Sequence, residues 1–182
     1  VSAVASLVNG GLLMRPYIVK EVAGPDGSRV FEPVVVRRTV SEQTSRTLVD
    51  MMRVVVDGTP GHRARIAGYS AGGKTGTSTI EGESGTFASF VGFAPVEDPK
   101  YVMLVMFDRP QSSQWGSTVA APVFSALAPQ ILAHLGVPPI PGEAFVEAAP
   151  EPEEPEVETL EEVAPFDVQE PAAEPAPELT LE

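Results

Sequence analysis

Two kinds of apolar spacing run along the chain, and each predicts its own elements. Val1, Val4, Ala5 and Val8 recur at the interval that covers one face of a helix. Asn9, Gly10 and Gly11 predict its end, because glycine readily takes the left-handed backbone that closes a helix C-terminus. Tyr17 to Val22 and Val30 to Arg38 are β-prone and flank the turn cluster Gly24-Pro-Asp-Gly27, which predicts a hairpin. Ser41 is placed to cap a helix whose apolar positions Leu48, Met51, Met52 and Val55 follow i, i+3, i+4, i+7, and Asp57, Gly58 and Pro60 end it.

Three strands are expected beyond Gly61: Ala71 to Ser78, Phe87 to Ala94 and Tyr101 to Phe107. Pro95, Asp98 and Pro99 turn the chain between the last two, a link short enough for an antiparallel pair. Tyr101 to Phe107 is apolar at every position, which predicts a strand covered on both faces. From Ser117 to Leu135, Val119, Val123, Leu127, Ile131 and Leu135 return every fourth residue. That is a helix with a long apolar stripe, with Pro122 tolerated in its first turn and a kink expected at Pro129.

Composition then divides the chain. The 182 residues contain no Cys and carry a net charge of −13, which excludes a disulfide scaffold, a Cys-based zinc site and nucleic-acid binding through bulk positive charge. Residues 143–182 hold 14 of the 25 acids and no Lys or Arg, leaving 11 acids against 12 bases in residues 1–142. The first part is large enough to bury a core and closes at Pro138, Pro139, Pro141 and Gly142. The second, dominated by Glu, Pro and Ala, reads as an acidic, disordered, solvated tail. The longest uninterrupted apolar run, Tyr101 to Phe107, falls short of the roughly 20 residues a bilayer needs. The chain opens on a helical pattern without Met or signal peptide and reads as a piece of something longer.

The chemistry concentrates in Gly68-Tyr-Ser-Ala-Gly-Gly-Lys-Thr-Gly-Thr-Ser78, which supports two incompatible readings. Gly68, Gly73, Lys74 and Thr75 satisfy the phosphate-loop pattern, with the apolar run ending at Asp108 imitating a metal-binding strand. A phosphate loop requires a helix to begin at Lys74, yet the residues that follow are Gly-rich and β-branched, among the poorer helix formers. The alternative places Lys74 to Ser78 on an edge strand. Alternation then sends Thr75 and Thr77 to one face and Lys74 to the other, with Gly76 leaving a gap where a ligand backbone can approach. Two hydroxyls and an ammonium suit a carboxylate, and a free strand amide can donate to a developing oxyanion.

Lys74-Thr-Gly is one of three motif boxes of penicillin-binding proteins and class A β-lactamases. Its surroundings resemble the class B penicillin-binding proteins, the D,D-transpeptidases of cell division and elongation. The resemblance covers about residues 1 to 140 and rests on Leu7-Val-Asn-Gly-Gly11, Arg15-Pro16, Gly58-Thr-Pro-Gly61, Gly72-Gly-Lys-Thr-Gly-Thr-Ser78, Ser89-Phe-Val-Gly-Phe-Ala-Pro95 and Ala120-Ala-Pro-Val-Phe124. It implies an α+β fold, an antiparallel sheet flanked by helices, with the Lys74 strand bordering the cleft. It also implies roles. Lys74 supports the proton relay and positive field, Thr75 and Thr77 hold the terminal carboxylate of a D-Ala-D-Ala stem peptide or of a β-lactam, and the Thr77 amide forms half of the oxyanion hole. No metal or organic cofactor is implied. The implied partners are the division or elongation machinery, and the implied parent is membrane-anchored with its catalytic domain on the extracytoplasmic side.

Two further boxes of that family are missing. The lysines are Lys20, Lys74 and Lys100, preceded three places earlier by Tyr17, Ala71 and Glu97, so there is no S-x-x-K. Asn9 is the single Asn and has Leu7 two before it, so there is no S-x-N. The chain alone is therefore expected to be inactive, with the nucleophile upstream in the parent. A carboxypeptidase or serine β-lactamase of the same superfamily and a non-catalytic wall-peptide binding module are the rival readings. His62 is expected in a solvated surface turn, His134 at a helix end, Trp115 in packing and Asp108 at a strand end.

Overall fold

Helix α1 (Ser2–Val8) stops where the glycines predict, with Gly10 at φ 85° and Gly11 at φ 92°. The computed structural model describes residues 1–141 apart from Asp26, Glu81 and Glu83; the expected tail over 143–182 lies outside the described residues. Asn9 secures the exit from α1, its side chain accepting from the Leu12 amide at 2.9 Å and donating to the Leu12 carbonyl at 2.8 Å.

The expected hairpin is present in two pieces. An outer ladder pairs β1 (Leu12–Met14) with β4 (Val35–Arg38), and an inner one pairs β2 (Glu21–Gly24) with β3 (Gly27–Val30). Residues 15–20 and 31–34 are not strand. Pro16 and Pro33 lie in the interruption, and neither can donate to a ladder.

Helix α2 (Glu42–Val56) starts where Ser41 accepts from the Thr44 amide at 3.1 Å and ends at Asp57. Its packed face differs slightly from the expected one. Val49 and Met52 meet the core and Val56 is fully buried, whereas Met51 is 60% exposed. The Ser45 hydroxyl donates to the Leu7 carbonyl and accepts from the Gly10 amide, fastening α2 to the end of α1.

Strands β5 (Gly72–Thr79), β6 (Thr86–Ala94) and β7 (Tyr101–Asp108) form an antiparallel sheet in that order. Cross-strand partners share a face. Phe90, Ala94, Tyr101, Met103 and Val105 face helices α3 (Gly116–Val119) and α4 (Ala121–His134), while Phe93 and Val102 face α1 and α2. The Phe90 and Phe124 rings lie 5.2 Å apart, and Phe124 reaches the sheet over Gly92, where a Cβ would come within 2.7 Å of it.

Two expectations about these elements need correction. Residues 116–134 do not form one unbroken helix but break at Ala120, and Pro129 lies inside α4. Phe124, Ala128 and Leu132 form the fully buried row, while Leu127 and Leu135 are exposed. The helix is apolar nearly all round, so both fourth-residue rows look alike in the sequence. Nor is β7 covered on both faces within the described residues, since Leu104, Met106 and Phe107 are exposed. The stretch Gly116–His134 has the length and mean hydropathy, 1.3, of a membrane span, but its fully buried residues pack on the sheet, so we read it as core.

Candidate functional site

Lys74 to Ser78 lie within strand β5, and no helix begins at Lys74. The phosphate-loop reading is thereby excluded, because it needs a helix N-terminus at that lysine. β5 is an edge strand, paired only with β6 among the described residues.

The direction of its backbone groups follows from three bonds. The Thr86 carbonyl accepts from the Arg109 amide and the Ala94 carbonyl from the Lys100 amide, so the even residues of β6 address β7. The odd residues therefore address β5, and the Ile80 amide donating to the Gly85 carbonyl agrees. In register, Gly76 opposes Ser89 and Lys74 opposes Val91. Gly72, Lys74, Gly76 and Ser78 thus turn their backbone groups toward β6, and Gly73, Thr75, Thr77 and Thr79 turn theirs to the open edge.

Side chains complete the edge. Lys74 is on the opposite face from Thr75 by alternation, yet its Nζ reaches back to the Thr75 carbonyl at 3.2 Å and the Thr75 hydroxyl at 3.3 Å. Lys74, Gly76 and Thr77 are exposed and Thr75 is half-buried. Gly76 is small for a structural reason too. A Cβ there would stand 2.7 Å from the Ser89 hydroxyl, which donates to the Gly76 carbonyl at 3.1 Å. Composition and spacing do not single out Ser89; only the register does.

A polar cluster sits at the entry to β5. The Ser70 hydroxyl donates to the Glu97 carboxylate and accepts from the buried Val96 amide at 2.9 Å. That hydroxyl holds the Glu97 carboxyl below its ordinary pKa. Asp57 accepts from the Ala71 amide at 3.1 Å and lies 3.8 Å from Arg53, yet burial pushes its carboxyl up. Two pendant clefts of about 370 and 290 Å³ share Arg53 and Glu97 and do not reach the Lys74 edge.

The other single residues divide. His62 is buried, its ring 6.0 Å from that of Phe90 and its Nδ1 accepting from the Ala64 amide at 3.2 Å, which corrects the expected solvated turn. Trp115 is half-buried at the entry to α3, His134 ends α4 and Asp108 ends β7.

Residues 1–128 match the family described as the penicillin binding protein transpeptidase domain. Stage V sporulation protein D of Bacillus subtilis is 38% identical over 148 residues, covering 76% of this chain and 23% of that protein. Penicillin-binding protein PbpB of Mycolicibacterium smegmatis is 36% identical over 157 residues, covering 75% and 24%. The chain thus spans about a quarter of the length of these relatives. Among solved structures, penicillin-binding protein 3 of Mycobacterium tuberculosis complexed with ampicillin has a TM-score of 0.65 at 30% identity, covering 82% of this chain and 37% of that one.

Proposed function

This chain belongs to the penicillin-binding protein transpeptidase family, in its class B branch, and on that premise we propose that β5 is the substrate-binding edge of a serine-type peptidoglycan D,D-transpeptidase. The observation that carries the reading is the outward amide and carbonyl of Thr75 and Thr77 beside the Lys74 ammonium. An extended stem peptide ending in D-Ala-D-Ala would lie along that edge as an added strand. Its terminal carboxylate would meet the Thr75 and Thr77 hydroxyls within the field of Lys74, and the Thr77 amide would donate to the oxygen that gains charge when the carbonyl is attacked.

The reaction is acyl transfer. A serine oxygen bonds to the penultimate D-Ala carbonyl carbon, the carbon–nitrogen bond to the last D-Ala breaks, and the leaving amine takes a proton. An amine from a neighbouring stem peptide then attacks the ester and releases the serine. We place that serine, with S-x-x-K, S-x-N and a membrane anchor, in the part of the polypeptide that the relatives have and these residues do not. The full-length protein would act on the extracytoplasmic side in division or elongation, and a β-lactam would enter by the same carboxylate and carbonyl contacts.

Fluorescent penicillin tests the reading. Residues 1–182 alone should take no covalent label, the full-length protein should take one per molecule, and Lys74→Ala in the full-length protein should slow acylation by about a hundredfold or more. Labelling of residues 1–182 alone, or no labelling at full length, would contradict it, the latter favouring a non-catalytic binding module.

A further inference from the structure

We propose that Ser89 is a positioning residue that aims the oxyanion donor, an inference resting on the reading of the Thr77 amide given above. The Gly76 carbonyl and the Thr77 N–H belong to one planar trans peptide and point in opposite directions. Whatever holds the Gly76 carbonyl toward β6 therefore holds the Thr77 N–H toward the open edge. Ser89 holds it from the facing position in the ladder, its hydroxyl donating to that carbonyl at 3.1 Å.

Ser89 is itself fixed from the other side of the sheet. Gly116, at the start of α3, packs so closely on the bare backbone of Ser89 that a Cβ would collide with the Ser89 carbonyl. Above the strand, the missing Cβ of Gly76 leaves the space in which the Ser89 hydroxyl lies. α3, Ser89 and the Gly76–Thr77 peptide thus form a stack that spans the sheet and ends at the donor. An edge strand has no ladder on its outer side to keep a peptide from rocking, so a second bond on the inner side acts on the orientation of the donor more than on overall stability.

The test is acylation of the full-length protein by a fluorescent penicillin, with the affinity of the pre-acylation complex resolved from the acylation rate constant. Ser89→Ala should lower the rate constant about fivefold to tenfold, the worth of one hydrogen bond, and leave the pre-acylation affinity unchanged, with the thermal midpoint lowered by no more than a few degrees. Ser89→Thr, which keeps the hydroxyl on a β-compatible side chain, should restore the rate to within about twofold. An unchanged rate in Ser89→Ala, a loss of affinity in place of rate, or a Ser89→Thr variant as slow as Ser89→Ala would overturn the inference. Failure of the unsubstituted full-length protein to acylate would instead remove the reading beneath it.

Discussion

β5 and β7 pair with the same central strand, each over eight residues, and differ in what they leave open. β5 is built from Gly, Lys, Thr and Ser and presents hydrogen-bonding groups at its edge. β7 is apolar from Tyr101 to Phe107, and although Tyr101, Met103 and Val105 pack on the helical core, Leu104, Met106 and Phe107 are exposed. The difference separates two meanings of an edge. A polar, glycine-bearing edge is suited to exchanging partners, because its bonds with water and with a ligand backbone are alike in kind. An apolar strand states that something must cover it, without saying what.

Both strands depend on β6, so the largest expected effect lies there. Phe90→Ala empties a fully buried site beside Phe124 and should cost about 3–5 kcal/mol by denaturant unfolding; a loss below about 1 kcal/mol would mean that the two strands are not joined through this core.

A smaller effect is expected where β5 begins. Ser70→Ala leaves the buried Val96 amide without its acceptor and should cost about 1–3 kcal/mol. It should also change the acid response. Glu97 has a lowered folded pKa, so its contribution is present above the unfolded value and is lost as pH falls through the folded one. Asp57 runs the other way. Its raised folded pKa makes its contribution complete below the unfolded value and lost as pH rises through the folded one. Unfolding midpoints across the acid range should therefore show a shallower fall toward low pH in Ser70→Ala and a higher plateau at neutral pH in Asp57→Asn. Parallel curves for wild type and Ser70→Ala would contradict the assignment.

The smallest effect should come from β7. Leu104→Thr and Met106→Thr in residues 1–182 should each change stability by no more than about 0.5 kcal/mol. In the full-length protein a cost above about 1 kcal/mol would show that the open face is covered there, and so sharpen the contrast with β5.

The sequence foretells the elements better than their faces. β5, β6 and β7 lie within a residue of expectation because turn residues bound each of them, and Ser41 caps α2 as its position implies. The faces of α4 were hidden by its nearly uniform apolarity, and Met51 by an equally apolar neighbour at Met52. The short β1 was hidden among residues that no alternation marks. His62 looked like a surface turn because its neighbours are Gly61, Arg63 and Arg65, yet its ring serves the core. At the edge of β5, residue types suggest Lys74, Thr75, Gly76 and Thr77, but the direction of each amide depends on pairing between residues more than ten apart. For the same reason Ser89 stands in the sequence only as the start of a family motif, and its bond to Gly76 stays hidden until the register is known.

The most direct test is a crystal structure of the full-length protein acylated by a penicillin. The account predicts the acyl carbonyl oxygen within hydrogen-bond reach of the Thr77 amide and the ligand carboxylate on the Thr75 and Thr77 hydroxyls, with the ligand lying along β5. An acyl group bound with its carbonyl turned away from β5, and Thr77 donating to water, would contradict it.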